Sequence, residues 1–525
     1  MTGFVATDYV RVPKSTHPRW AILSVLCVTL LLISLDSTVL NVALPTIAHS
    51  LNASPSQLQW MVDAYAVVFA GLLLTLGALG DHVGRKRVFM GGLAIFGGGS
   101  AFAAWSASPD VLTVARATMG IGAAALMPCT LSILTNVFAT ERERVRAIGI
   151  WSGTTGLGVA LGPILGGVLL SHFWWGSVFL INVPIAAVGF IAAAWLVPDS
   201  KNAHSTRPDV VGAGLSVLGL GSLLWGIIEA PSRGWNSIPV IGSLAGAGVI
   251  IFVFLTWERR IDHPMLPLHF FANRRYSVAI SALSLVLFAL LGMFFLMTQY
   301  LQFDLGYTPL EAGVRIIPVA ATLLVVAPIS VSVARSIGTK YVVTTGLVLV
   351  AVAFVTLSHT TVAGTYRDSL VPLMIVGVGV ALALAPCTES VMGSLPKSQA
   401  GVGSATSDTA IQVGGALGVG VLGTVLNLRY QHLMTPAIAR AHVPVAVQKI
   451  IDGSLGGALS VARLAPTKLG VELADLARRS FVSGMDAALV IAAAAVGVAA
   501  IVIALSLPNR GTDYREESDS IDPAN

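Results

Sequence analysis

The chain is short of charge. Only 11% of its 525 residues are Asp, Glu, Lys or Arg, against about 25% in soluble domains. That scarcity excludes an ordinary cytosolic enzyme, a disordered tail protein and a nucleic-acid binder, because the net charge is only +5 and its distribution points elsewhere. Cysteine is scarce as well. Cys27, Cys129 and Cys387 each fall inside an apolar stretch, which excludes a disulfide framework or a zinc site, since both need clustered or evenly spaced Cys and His. They read as small buried thiols. No Gly-x-x-x-x-Gly-Lys-Ser/Thr loop is present, so ATP is not the expected energy source. The chain also lacks a His-Glu-x-x-His helix and a Gly-x-Ser-x-Gly elbow, so no enzyme, metal or cofactor is expected. Residues 1–19 have no apolar core with a small-residue cleavage site, so no signal peptide is expected there.

What the chain has is apolar length. Hydrophobic residues make up 55%, and the mean hydropathy is +0.81. A membrane helix needs about 20 mostly apolar residues, and fourteen segments qualify. The first seven are Ala21–Val42, Trp60–Leu79, Val88–Trp105, Val111–Ile133, Ile148–Leu170, Val178–Leu196 and Val210–Ile228. The second seven are Ile238–Thr256, Ile280–Tyr300, Ala312–Val333, Val342–Thr361, Leu370–Val391, Val402–Leu426 and Met485–Leu507. With the amino terminus inside, the inner segments carry most of the Lys and Arg, while the short outer loops carry only Arg233 and Arg367. That bias predicts both termini on the cytoplasmic side of a cell membrane. The long outer segment holds Leu469, Leu473 and Leu476 at helical spacing after Thr467, which predicts an amphipathic helix on the membrane surface or over a vestibule. The acidic end with Glu516, Glu517, Asp519 and Asp522 reads as a solvated tail.

The chain repeats itself. Gly84 and Lys86, between spans two and three, match Gly338 and Lys340 between spans ten and eleven, 254 residues on. Gly120-x-Gly122 followed by Pro128 in span four matches Gly377-x-Gly379 followed by Pro386 in span twelve. Spans one to six thus echo spans nine to fourteen in the same orientation, as in transporters that rock around a site between parallel repeats. The expected fold is an all-α polytopic membrane protein of two six-helix bundles plus two inserted helices. The expected organisation is a cytoplasmic segment 1–19, a bundle 20–198, the inserted pair 209–257, a bundle 278–507 with a long outer loop 428–484, and a tail 508–525.

These features resemble the major facilitator superfamily, in its fourteen-helix drug:proton antiporter branch, over almost the whole chain. Leu35-Asp36-Ser37-Thr38-Val39-Leu40-Asn41 through Pro45 is similar to the first-helix signature of that branch. Gly77-Ala78-Leu79-Gly80-Asp81-His82-Val83-Gly84-Arg85-Lys86-Arg87 resembles the superfamily's loop motif. Arg116, Gly120 and Gly122 resemble its fourth-helix motif. The run Gly158 to Gly167, with Gly162, Pro163 and Gly166, resembles the fifth-helix motif of exporters. Two positions depart from the pattern: Asp63 stands where members often carry a neutral residue, and Asp408 is the charge in span thirteen. The resemblance implies multidrug efflux and antibiotic resistance, driven by the proton gradient. It implies a proton-relay role for Arg116, and a cytoplasmic latch made by Asp81, Gly84, Arg85 and Lys86. The expected partners are small-molecule drugs, protons and membrane lipid, with no nucleic acid and no ATP, and the expected state is a monomer. An exporter of an endogenous metabolite, antibiotic or lipid is the alternative.

Charges in hydrocarbon cost about 2.5–3.5 kcal/mol each, so an intramembrane acid or base is a functional candidate. Asp36, some 15 residues into span one, leads. Burial favours its neutral form, so it can alternate between a proton and a cationic substrate. Arg116 needs a partner, and Asp36 is nearest by depth. A relay and a static ion pair are both open. Asp63 reads as a second cation ligand or an interfacial acid. Asp408 is expected to face the cavity from the second bundle. Glu389 and Glu229 lie near span ends and are expected to reach the interface. Tyr65, Phe69, Trp151 and Phe294 are candidates for binding flat cations through their rings. Gly158, Gly162 and Gly166, four apart, form a face for close helix approach, and Pro163 permits bending.

Overall fold

The computed structural model describes residues 19–138, 140–201, 208–362, 364–395, 400–440 and 443–507. The amino-terminal segment 1–18, Arg207, Lys397 and the acidic tail lie outside the described residues. The six helices of the first half are α1 (Arg19–Leu51), α2 (Pro55–Val83), α3 (Arg85–Ala104), α4 (Pro109–Val137), α5 (Glu141–His172) and a span made of α6 (Ser177–Leu180) with α7 (Asn182–Leu196). Then come α8 (Val210–Arg233) and α9 (Ile238–Glu258). The second half has α10 (Arg274–Gln299), α11 (Pro309–Ile337), α12 (Thr339–Leu357), α13 (Tyr366–Gly393) and α14 (Ala400–Arg440). It ends with α15 (Val445–Gly453), α16 (Leu455–Leu464) and α17 (Thr467–Ser506). Thirteen of these helical stretches are long and apolar enough to cross a membrane. Counting α5, which bends by 40° between Gly158 and Leu161, makes fourteen. Pro163 explains the bend, because its ring nitrogen offers no hydrogen to the carbonyl four residues earlier. The protein is therefore a multi-pass membrane protein, all-α among the described residues.

Helices α1 to α7 pack as one bundle, and α10 to α14 with α17 as the other. The inserted α8 lies against α2 and α14, one helix from each bundle. Helix α9 packs on α8 and leaves Val249 and Phe252 exposed, as suits a lipid-facing helix whose apolar surface has no protein to cover it. The repeat is visible in the backbone. Gly84 joins α2 to α3 at φ +129°, and Gly338 joins α11 to α12 at φ +104°. A side chain at either place would be strained, which is why the chain uses glycine there.

Helix α1 begins at what we call the basic face, near Arg85, Lys86 and Arg335; the other is the opposite face. The long segment expected as an outer loop is mostly helix. Helices α14 and α17 have 41 and 40 residues, about 60 Å each, so both run well past about 30 Å of hydrocarbon. The stretch from Leu469 to Leu476 is thus the first part of α17 and not a separate surface helix. Leu473 and Leu476 pack on the core while Leu469 is exposed. Leu455 of α16 is buried beside Pro55 of α2, Phe295 of α10 and Phe481 of α17.

Candidate functional site

Asp36 and Arg116 meet inside the first bundle. The Arg116 Nη1 lies 2.5 Å from Asp36 Oδ2, with Asp36 only 3% and Arg116 only 1% exposed. Five helices build the cluster. Asp36 comes from α1 and Arg116 from α4. Arg116 Nε donates to the Met61 carbonyl of α2 at 3.0 Å, and its guanidinium lies over the Tyr65 ring of α2, 4.4 Å from the centroid. Asn182 of α7 donates to Asp36 Oδ1 at 3.1 Å and to Ser100 Oγ of α3 at 3.3 Å. Each charge therefore has an opposite charge and a further polar partner, as the low-dielectric interior demands. Asn182 and Ser100 were missed by the sequence reading. Their signal was weak: single neutral polar residues inside apolar runs.

The aromatic candidates do other work. The Tyr65 ring is occupied by Arg116, and its edge meets Phe69. Trp151 of α5 donates its indole hydrogen to Thr130 Oγ1 of α4 at 3.2 Å. Phe294 is buried in α10.

Asp63 is fully buried, but away from Asp36. Its face of α2 meets Gly420 of α14, and Leu224 and Ile228 of α8 surround the same glycine. Both its carboxylate oxygens lack a hydrogen-bond partner among the described residues. This corrects the expectation of an interfacial acid: the inserted helix seals it from water. Asp408 is half-buried in α14, toward the basic face. Glu389 of α13 pairs with Arg335 of α11 at 2.7 Å on the exposed surface of the second bundle, and Glu229 pairs with Arg233 at 3.1 Å at the end of α8. Neither joins the buried cluster.

The loop motif bonds within the first bundle. Arg85 Nε lies 2.7 Å from Asp81 Oδ1, Arg85 Nη1 donates to the Ser132 carbonyl at 3.3 Å, and Lys86 Nζ donates to the Ala194 carbonyl at 2.8 Å. Gly77 packs on Pro128, where a β-carbon would come within 3.2 Å.

The glycines of α5 face two ways. A β-carbon on Gly158 or Gly162 would collide with Ser34 or Thr38 of α1, and one on Gly166 would press on Val39. Gly167 abuts Leu310, and the Pro163 carbonyl abuts Gly313, both on α11 of the second bundle. The same helix thus touches the stretch of α1 that carries Asp36 and the facing bundle. Further cross-bundle bonds also lie toward the opposite face. Gln59 Nε2 of α2 donates to the carbonyls of Val419 and Gly420, at 3.4 Å each. Gln302 Nε2 donates to the Val42 carbonyl at 2.9 Å. These amides were not singled out from the sequence either.

Comparison with known proteins agrees with this architecture. The Major Facilitator Superfamily profile matches residues 26–419. The multidrug efflux pump LfrA of Mycolicibacterium smegmatis is 34% identical over 495 residues, covering 93% of this chain and 96% of that one. The methyl viologen resistance protein SmvA of Salmonella typhimurium is 32% identical over 476 residues, covering 90% and 94%. Among solved structures, a bacterial homologue of the lysosomal transporter Spinster, inward-facing and occupied, superposes with a TM-score of 0.66 at 16% identity over 93% of this chain and 97% of that one, a likeness of fold. Two repeated helical bundles and these matches over most of the chain lead to one statement: the chain is a transporter that belongs to the Major Facilitator Superfamily.

Proposed function

We propose that the chain is a proton-coupled exporter of lipophilic cationic compounds such as dyes, quaternary ammonium compounds and antibiotics. The basic face is then cytoplasmic, and the arrangement described above, tied near the opposite face, is the inward-facing state. The observation that carries the reading is the Asp36–Arg116 pair, a titratable acid and a fixed charge shut away from solvent. Such a pair is costly to build and has an evident use if one partner takes up and gives back a proton. When Asp36 holds a proton, the tie between α1 and α4 loses its Coulomb attraction. Arg116 keeps the Met61 carbonyl and the Tyr65 ring. Helix α1 is then free to shift against α4, and the glycine face of α5 is pressed on α1 at that depth. Asp408 and, when the opposite face opens, Asp63 supply negative charge for a cationic cargo. The names of the relatives support the cargo class: LfrA is a multidrug efflux pump, and SmvA confers resistance to methyl viologen, a dication. One proton crossing 100 mV supplies about 2.3 kcal/mol, and moving a monovalent cation outward costs the same. A one-for-one exchange therefore runs on the pH difference, about 1.4 kcal/mol or tenfold per unit, and the voltage contributes only when more protons enter than cargo charges leave.

The test is dye transport in energised inverted membrane vesicles. Uptake of a cationic dye is expected to collapse with a protonophore and in Asp36→Asn, and to persist when ATP is depleted while the proton gradient is held. Uptake that follows ATP alone, or that survives Asp36→Asn, overturns the reading.

A further inference from the structure

The inserted helix pair meets the first bundle at a junction of buried polar groups that the transport reading does not use. Asp209 caps α8 at the basic face. Its Oδ1 accepts the Gly212 amide at 2.9 Å, and the Trp257 indole reaches Oδ1 at 3.2 Å and Oδ2 at 3.0 Å. The Asp209 carbonyl accepts from Thr75 Oγ1 of α2 at 3.2 Å. At the end of α9, Glu258 Oε2 accepts the Leu266 amide at 2.9 Å, which closes the turn that follows. Both acids are buried, Asp209 to 7% and Glu258 to 3% exposure. Glu258 Oε1 has no donor among the described residues. It faces Asp209 Oδ2, for a β-carbon on Gly212 would touch both oxygens, which therefore stand within about 5 Å of each other. Two ionised carboxylates are acceptors only and cannot bond. Like charges at this range cannot both persist in a buried site.

We propose that the Asp209–Glu258 pair is a proton-binding site, in which one shared proton ties α8 and α9 to α2 and whose loss on the alkaline side loosens that tie. Among the described residues, Asp209 is the acid set against Glu258. Asp262 and His263 line the same cleft as Asp209, and Arg259 and Arg260, which follow Glu258, are exposed. On α2, Asp81 is paired with Arg85, and His82 follows it, about two turns past Thr75. Arg207, two residues ahead of Asp209, lies outside the described residues.

The proton matters because α8 is held at both ends by different bundles. Toward the basic face, Thr75 of α2 holds the Asp209 carbonyl. Toward the opposite face, Thr424 Oγ1 of α14 donates to the Ile227 carbonyl at 3.0 Å. Losing the shared proton places two negative charges side by side in a buried site and drives them apart. The end of α8 tied to the first bundle is released while the end tied to the second stays. The site therefore reads the proton activity at the basic face and passes it to the helix that bridges the bundles.

Trp257 supplies a readout that does not depend on transport. Its fluorescence is isolated as wild type minus Trp257→Phe, in purified protein in lipid nanodiscs, titrated between about pH 5 and 9. The expected result is one reversible transition that is absent in Glu258→Gln. The glutamine amide donates the bond that the shared proton otherwise makes and does not titrate, so this variant is expected to keep the elution profile of the wild type. In the same variant, the pH-dependent rise in hydrogen exchange at the Leu266 amide, beyond the intrinsic rate, is expected to vanish. A flat wild-type signal, or a transition that survives in Glu258→Gln, overturns the proposal. Asp36→Asn is expected to keep the transition, so failure of the antiport reading and failure of this site are separate results.

Discussion

Arg116 shows at the scale of one residue why charge alone is not the requirement. It bonds Asp36, donates to the Met61 carbonyl and stacks on Tyr65. A lysine keeps the charge but has neither the planar fork nor the stacking face. Arg116→Lys is therefore expected to insert and fold, with energised dye transport reduced at least tenfold, about 1.4 kcal/mol of lost stabilisation. Arg116→Ala leaves Asp36 buried and unpaired, and is expected to lose about 3–5 kcal/mol of stability, read as a lowered thermal midpoint in detergent. Equal transport by the lysine variant would mean that a point charge suffices. The pairing of these two residues was legible in the sequence because depth along a span follows from counting residues. The environment of Asp63 was not. Depth put it near a span end, but which neighbour covers a given face of α2 depends on where α8 inserts, and no local pattern encodes that. Tyr65 and Trp151 turn on the same unknown: from sequence each ring reads as a cation site or as packing, and its partner here is an arginine or a threonine of the same bundle.

Helix α5 carries the argument at the scale of the element. The four-residue glycine spacing announced a close approach, and α1 is the helix that takes it. The sequence did not reveal that Gly167 and Pro163 at the far end of the same helix press on α11. Adding one methyl group tests the packing. In Gly162→Ala the β-carbon would collide with Thr38, and overpacking of this kind costs about 1–3 kcal/mol. Gly153→Ala is the matched control, since a β-carbon there meets nothing within 4 Å. The expected outcome is a lower thermal midpoint and weaker transport for Gly162→Ala, with Gly153→Ala near wild type. Similar behaviour of the two variants would reduce the glycine face to composition. The extensions of α14 and α17 mark the limit of hydropathy. It finds the apolar part of a helix, and past the membrane the same helix continues on polar residues that read as loop.

For the whole molecule, the inequality between the two faces decides what can move. Toward the opposite face the bundles are tied by neutral amides donating to backbone carbonyls, Gln59 to Val419 and Gly420 and Gln302 to Val42, and by small-residue contacts between α5 and α11. Each such bond is worth about 0.5–1.5 kcal/mol net, so the closed face is held by a sum of weak ties that a few kcal/mol can release. The charged bonds of the loop motif stay within one bundle and do not oppose that release. Transport by rocking then requires α2 to part from α14 near Gln59. A protein with Cys27, Cys129 and Cys387 replaced and with Gln59→Cys and Gly423→Cys added places two thiols across that contact, because a β-carbon on Gly423 would fall on the Gln59 amide. Joining them with a short reducible thiol linker is expected to cut dye transport at least tenfold, and reduction is expected to restore it. Transport that continues while the link is intact would mean that α2 and α14 stay together through the cycle. The opening would then have to occur between α5 and α11 alone, with the sealed Asp63 never reaching water.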